Sequence, residues 1–181
     1  RWSRLNNIDR SNVDGLRPVF AFATGGRADA DGYNPPSVGS YRMEEQGTPL
    51  IDDGFMYIAD GLYRIMKMDV RSGTKADFVW RHDPEVVRNR TNRGTAMLNN
   101  SIYIATGDMR LLRVDRDSGE TVFDIVTQAP THPEYGTPSP HTQTHSAAPM
   151  AFKTAGGQEL IWQGESSGGS RGTISWCGAW D

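Results

Sequence analysis

Few residues in this chain have types and spacings that could do chemistry, and each of them carries two readings. Arg93 sits between Asn92 and Gly94. A fixed guanidinium there can stabilise negative charge at a site, or it can serve as a surface or inter-layer ion-pair residue. Gln46 precedes Gly47 and Thr48-Pro49. Its amide can donate and accept hydrogen bonds to a ligand, or it can simply occupy a turn. Glu165 lies in the run GESSGGSRG over 164–172, and a lone carboxylate falls short of the roughly six or more oxygens that Ca²⁺ takes. That run follows no phosphate-loop pattern with a lysine, and Gly168 and Gly169 read as backbone that approaches something closely. His132, His141 and His145 invite a metal reading, but their spacings match no standard zinc pattern and two of them adjoin prolines. Ser146 alone is a weak signal.

The elements that must position these residues show themselves as a repeat. Tyr57-Ile58-Ala59, Asp69, Ser72 and Gly73 return as Tyr103-Ile104-Ala105, Asp115, Ser118 and Gly119, an offset of 46, and Arg64 is matched by Arg110. A period in the forties with strand-turn-strand contents predicts stacked four-stranded blades. In the first copy the expected strands are Thr48 to Ile51, Phe55 to Ala59, Arg64 to Asp69 and Phe78 to Arg81, with a hairpin turn at Asp52-Asp53-Gly54 and Trp80 packing between layers. In the second they are Thr95 to Leu98, Ser101 to Ala105, Leu111 to Asp115 and Thr121 to Val126, with Phe123 replacing the indole. A third copy is expected from Ala148-Pro149-Met150. Its second strand is Leu160 to Gln163, interrupted by the Gly/Ser run and resuming at Ile174 to Trp180. Upstream, Ser3 to Leu16 reads as a leading segment in which Asp9 or Ser11 caps a short helical turn. Pro18 to Thr24 alternates like a strand, and 25–44 is a long loop.

Composition agrees with this all-β reading. Of 181 residues 36% are hydrophobic, with 20 glycines and 10 prolines, a balance that favours short strands and tight turns over long amphipathic helices. The net charge of -3 and unclustered basic residues argue against nucleic acid as a partner. Cys177 is the single cysteine, so no internal disulfide can form, and amid apolar neighbours it reads as an inert thiol. No signal-peptide core precedes Arg4, which leaves either a cytosolic chain or one whose leader has been removed.

Several stretches in order resemble the PQQ-dependent alcohol dehydrogenases: SRLNNIDRSNVDGLRPVFAFATG (3–25), QGTPLIDDGFMYIA (46–59), MDVRSG (68–73), TNRGTAM (91–97), SAAPM (146–150) and SRG (170–172). The resemblance implies an eight-bladed β-propeller with pyrroloquinoline quinone (PQQ) and Ca²⁺ or a lanthanide on its axis, a periplasmic location, a small alcohol substrate and a cytochrome c acceptor. It implies cofactor contacts from Gln46, Arg93, Ser146, Gly168 and Gly169, a metal-binding role for Glu165, and no catalytic residue in this chain. The family's adjacent cysteines are replaced by Val87-Arg88, its first metal-binding Glu aligns ungapped with Ser167, and its catalytic Asp and metal-binding Asn belong to later blades. The expected divisions are a leading segment over 1–24, a loop over 25–44, blades over about 45–94 and 95–145, and a truncated blade over 146–181. The remaining blades are expected on another chain or on a continuation. The rival reading is a propeller that lost its chemistry and serves as a scaffold in a periplasmic or outer-membrane complex.

Overall fold

The structure, a computed structural model, describes residues 7–24, 45–86, 92–108, 110–126, 143–146, 149–169 and 172–180. The strand pattern resolves into three antiparallel sheets. The first holds β1 (Leu50–Asp52), β2 (Phe55–Ala59), β3 (Ile65–Asp69) and β4 (Asp77–His82), paired in chain order. The second repeats that order with β5 (Thr95–Leu98), β6 (Ser101–Ala105), β7 (Arg110–Asp115) and β8 (Thr121–Val126). In the third, β9 (Gln143–Ser146) and β10 (Met150–Lys153) both pair with β11 (Glu159–Gly169), and β12 (Gly172–Trp180) pairs with β11 as well. Among the described residues the regular structure is all β apart from a 3₁₀ turn at Val13–Gly15.

Local chemistry explains the repetition. The two-residue hairpin after β1 needs left-handed backbone, and Asp53 (φ 49) and Gly54 (φ 75) supply it, with Asn99 (φ 50) doing so in the second copy. Tyr57 pairs with Lys67 across β2 and β3, and Tyr103 pairs with Arg113 at the matching place. Even the register irregularity repeats, between Lys67 and Met68 on β3 and between Arg113 and Val114 on β7. Past it, Trp80 stands opposite Lys67 and Phe123 opposite Arg113, so each copy sets one aromatic ring on its fourth strand against the tyrosine of its second.

Alternation along β6 sends Ile102 and Ile104 toward the first sheet and Tyr103 toward the third, and all five β6 residues are buried. The joint between the first two sheets contains Tyr57, Ile65, Ile102, Ile104, Leu112 and Val114, so apolar area removed from water holds the two sheets together. Its rim is polar. The Arg116 carbonyl accepts from Lys67 Nζ at 3.0 Å and from Trp80 Nε1 at 3.3 Å, while the Arg116 guanidinium binds Asp52. The bare backbone of Gly119 lies under the Trp80 indole, where a Cβ would come within 2.8 Å of the ring. The third sheet meets the other face of the second through Ala96, Tyr103, Leu111 and Ile161.

Two sequence expectations need correction. Pro18 to Thr24 is extended but is not part of a strand among the described residues, and its Val19 is 61% exposed. Alternation marks a strand only where a sheet edge is available to satisfy the backbone. The Gly/Ser run does not interrupt the third sheet either. β11 continues through Gly169 because β9 on one side and β12 on the other supply a ladder at Glu165 to Gly168. In the leading segment Asp9 does organise the turn, its Oδ1 accepting from the Ser11 amide at 2.7 Å, although the residue in the cap position is Asn12. Val87, Arg88, His132 and His141 lie outside the described residues.

One feature of the joint is sensitive to acid. His82 Nδ1 lies 3.1 Å from the Gly119 carbonyl, and its Nε2 is buried without a partner. Burial lowers the His82 pKa and Arg110 acts in the same direction, against the opposing pull of the Gly119 carbonyl, Asp83 and Asp124. A histidine depressed in the folded state binds protons more readily when unfolded, so the stability it contributes is present above about pH 6.5 and is lost as pH falls below that. Urea unfolding from about pH 7.5 to about pH 5.5 is expected to show a falling midpoint, with a shallower fall in His82→Gln; parallel pH profiles would remove His82 from the account.

Candidate cofactor site

The site is built on a buried ion pair in the β2–β3 turn. Asp60 and Arg64 are 1% and 2% exposed. Asp60 Oδ1 accepts from the amides of Leu62 (2.9 Å) and Arg64 (3.0 Å), and Oδ2 accepts from Arg64 Nε at 2.7 Å with Nη2 at 2.6 Å. Two charges taken out of water are tolerated only when geometry and further hydrogen bonds compensate for lost solvation, and here both carboxylate oxygens are occupied. In the second copy Thr106 stands at the place of Asp60, and the roles divide. Thr106 Oγ1 accepts from the Arg110 amide at 3.2 Å, while the Arg110 guanidinium reaches Asp108, Asp124 and the Pro84 carbonyl.

The Asp60 turn then holds the connection that enters β5. Its carbonyl accepts from Asn92 Nδ2 at 2.7 Å, and Asn92 is 1% exposed. Asn92 Oδ1 accepts from the Gly94 amide at 2.8 Å, and its carbonyl accepts from the Gln46 amide at 2.8 Å, beside an isolated parallel bridge between Glu45 and Asn92. Gly47 and Gly94 cross so closely that a Cβ on Gly47 would stand 2.8 Å from the Gly94 Cα. This crossing brings together Gln46 and Arg93: Arg93 Nη1 donates to Gln46 Oε1 at 3.3 Å. Partial desolvation, and then the Asp60 charge, push the neighbouring Glu45 carboxyl above the usual range.

Among the described residues Arg93 makes no ion pair. Arg64, Arg71, Arg110 and Arg116 each take a carboxylate, whereas Arg93 is exposed and bonds to a neutral amide. Its charge stays available to an anion or to a carbonyl-rich ligand.

The other candidates lie on the third sheet. Ser146 pairs with Glu165 across β9 and β11, Gly168 stands between Gln143 and Thr173, and Gly169 pairs with Gly172. Glu159, at the start of β11, accepts from Asn99 in the β5–β6 turn. That turn marks the end of the second sheet away from Arg93, so β11 runs toward the Arg93 end. Glu165 is thus a strand residue rather than a loop residue. GESSG over 164–168 also spells the pattern of a nucleophile elbow, but it runs as continuous strand rather than a strand-to-helix turn, so no elbow forms. Among the described residues no group of three His, Cys, Asp or Glu could hold a metal ion, and no helix is long and apolar enough to cross a membrane.

Residues 1–162 match the PQQ family described as glucose/ethanol/alcohol dehydrogenase, beta-propeller domain. The chain belongs to the PQQ-dependent alcohol dehydrogenase family. It is 32% identical over 129 residues to the quinoprotein alcohol dehydrogenase PedH of Pseudomonas putida, covering 68% of this chain and 19% of that protein. It is 30% identical over 183 residues to the dehydrogenase subunit of a quinone alcohol dehydrogenase of Gluconacetobacter polyoxogenes, covering 97% of this chain and 22% of that protein. A 1-butanol dehydrogenase (cytochrome c) of Thauera butanivorans is 29% identical over 150 residues, covering 76% of this chain and 20% of that protein. The chain therefore spans about a fifth of the length of these relatives. Among solved structures, a europium-containing methanol dehydrogenase superposes with a TM-score of 0.68 at 21% identity, over 99% of this chain and 27% of that one, which shows a shared fold. The three sheets are blades of a partial quinoprotein propeller.

The sequence pointed to Gln46 and Arg93 but not to what carries them. The recurrence of arginine at 64 and 110 was the available signal, although nothing in the repeat marked Arg64 as buried. Asp60→Asn keeps the side-chain shape but leaves the Arg64 charge buried and unmatched. It is expected to lower unfolding free energy by about 3–5 kcal/mol, read as the denaturation midpoint.

Proposed function

We propose that these blades form part of an enzyme that oxidises an alcohol with PQQ, and that Arg93 and Gln46 hold the quinone at the shared end of the inner strands. The observation that carries this reading is the Arg93–Gln46 contact, made across 47 residues on a buried pedestal. PQQ bears carboxylates and quinone carbonyls, and a cation paired only to an amide suits both groups. Arg93 binds and orients, and its charge favours electron density arriving on the bound ring. Gln46 fixes the guanidinium through its Oε1 and sets an amide at the ligand edge. Ser146 adds a hydroxyl, and the Gly168-Gly169 backbone allows close approach.

When bound, PQQ supplies the hydride acceptor for the alcohol, and its electrons pass on to a cytochrome c. The catalytic base and the remaining blades come from outside these residues. Glu165 offers one carboxylate toward a cation such as Ca²⁺ or a lanthanide; alone it does not make a site, so the further oxygen ligands come with the other blades. We place the assembled enzyme in the periplasm, on the strength of the family membership.

The test is PQQ titration of the assembled propeller, followed by the near-ultraviolet absorption of the bound quinone. Arg93→Ala removes a charge-assisted contact and is expected to weaken binding by about 1.5–3 kcal/mol, roughly 10- to 100-fold. Thermal stability should be unchanged because Arg93 is exposed. An assembly that binds no PQQ, with or without added cation, would favour the scaffold reading.

A further inference from the structure

We propose that Asn92 is the positioning residue of this site: it sets the geometry of the Gln46–Arg93 pair without touching the ligand. This rests on the reading of Arg93 and Gln46 as cofactor contacts. Asn92 Oδ1 accepts from the amide of Gly94, two residues on, at 2.8 Å. That bond closes an Asx turn whose corner residue is Arg93, which fixes the Arg93 backbone and presents its side chain outward. Nδ2 of the same amide donates to the Asp60 carbonyl at 2.7 Å and so ties the turn to the buried Asp60–Arg64 pair. The Asn92 carbonyl accepts the Gln46 amide at 2.8 Å, which sets the partner's backbone from the same residue.

One buried residue thus sets both members of a pair that are far apart in sequence, its main-chain carbonyl holding Gln46 and its side chain holding the Arg93 turn to the Asp60 turn, and asparagine is the residue type that can do the second. The turn needs an acceptor and the Asp60 carbonyl needs a donor, both on a short planar group. Aspartate would keep the acceptor, lose the donor and add a charge next to Asp60. Serine has one oxygen for two jobs. The exposed Arg93 guanidinium gains its orientation from a residue that is 1% exposed and cannot reach the mouth itself.

The test is a double-mutant cycle in the assembled propeller, with PQQ affinity and thermal midpoint measured on each variant. Asn92→Ala is expected to weaken PQQ binding about tenfold, the scale on which supporting residues act at bound centres. On an Arg93→Ala background the same substitution should add less than about twofold, because its effect passes through Arg93. Ser101→Ala, which removes the Arg113 Nε to Ser101 Oγ bond at 2.8 Å on the second sheet, should lower the midpoint with PQQ affinity unchanged. Asn92→Asp keeps the turn and covers the case in which Asn92→Ala does not fold; it should bind PQQ more weakly than the unsubstituted protein.

Amide hydrogen exchange without PQQ gives a second, independent readout: Gln46 and Gly94 should exchange at least about tenfold faster in Asn92→Ala. Affinity within about twofold of the unsubstituted protein, or effects of Asn92→Ala and Arg93→Ala that simply add, would overturn the proposal. An unsubstituted assembly that binds no PQQ while Asn92→Ala still loses the exchange protection would overturn the cofactor reading and leave the positioning role standing.

Discussion

A guanidinium buried at the turn between the second and third strands is the constraint on which this structure depends. Arg64 and Arg110 occupy equivalent places in successive blades, and neither can be left without compensation in a sheet packed against its neighbours. The two blades solve the same problem differently. In the first, Asp60 both organises the turn and neutralises the arginine. In the second, Thr106 organises the turn, while Asp108 and Asp124 share the charge. Each solution also reaches sideways into the connection between the two sheets, Asp60 at Asn92 and Arg110 at Pro84. These charged turns therefore tie down both ends of the connection that delivers Arg93. An apolar turn could pack as tightly, but it could not hold a neighbouring backbone by hydrogen bonds.

Placement of the candidate residues follows from this. Gln46 and Arg93 do not belong to strands; each lies just before the first strand of its blade, at the end where the β2–β3 and β6–β7 turns also gather. Stacked blades repeat that position, so each contributes a residue at the same end. Rigid strands, a crossing of two glycines and one buried amide fix the approach, and only the tips of Gln46 and Arg93 remain adjustable. The third blade differs in that β11 is 11 residues long where β2 and β6 are five, and its extra length runs toward the Arg93 end. Glu165, Gly168 and Gly169 all lie on that extra length of β11.

What the sequence disclosed is whatever is local or periodic. The repeat set the strands, the hairpin turns and the aromatic at Trp80 and Phe123, because alternation and turn chemistry act within a few residues. Two readings failed for one reason, that pairing partners are not local. The 18–24 segment alternates as a strand should but joins no sheet among the described residues, while β11 has strand-poor composition but neighbours on both sides. The Asp60–Arg64 pair was hidden differently. An arginine and an aspartate four residues apart look like surface polarity, and only packing turns them into a buried support. Asn92 was visible as part of a motif, but its role depends on Asp60, which is 32 residues away.

Arg93 is separated from the structural arginines by the charge of its partner. A fully buried arginine needs a carboxylate, since an unmatched buried cation is costly, and Arg64 has one in Asp60. An arginine reserved for an anionic ligand has the opposite requirement. A carboxylate beside it would have to be displaced or outcompeted at every binding event, whereas an amide orients the guanidinium and leaves its charge intact. Gln46 supplies that amide, and solvent meanwhile supports the unmatched charge at the exposed end of the pair. The pedestal beneath can be dry and rigid because the charge above it is not. That division, matched cations inside and an unmatched one at the mouth, is what a propeller needs if its axis is to receive an anionic cofactor without losing the stability of its blades.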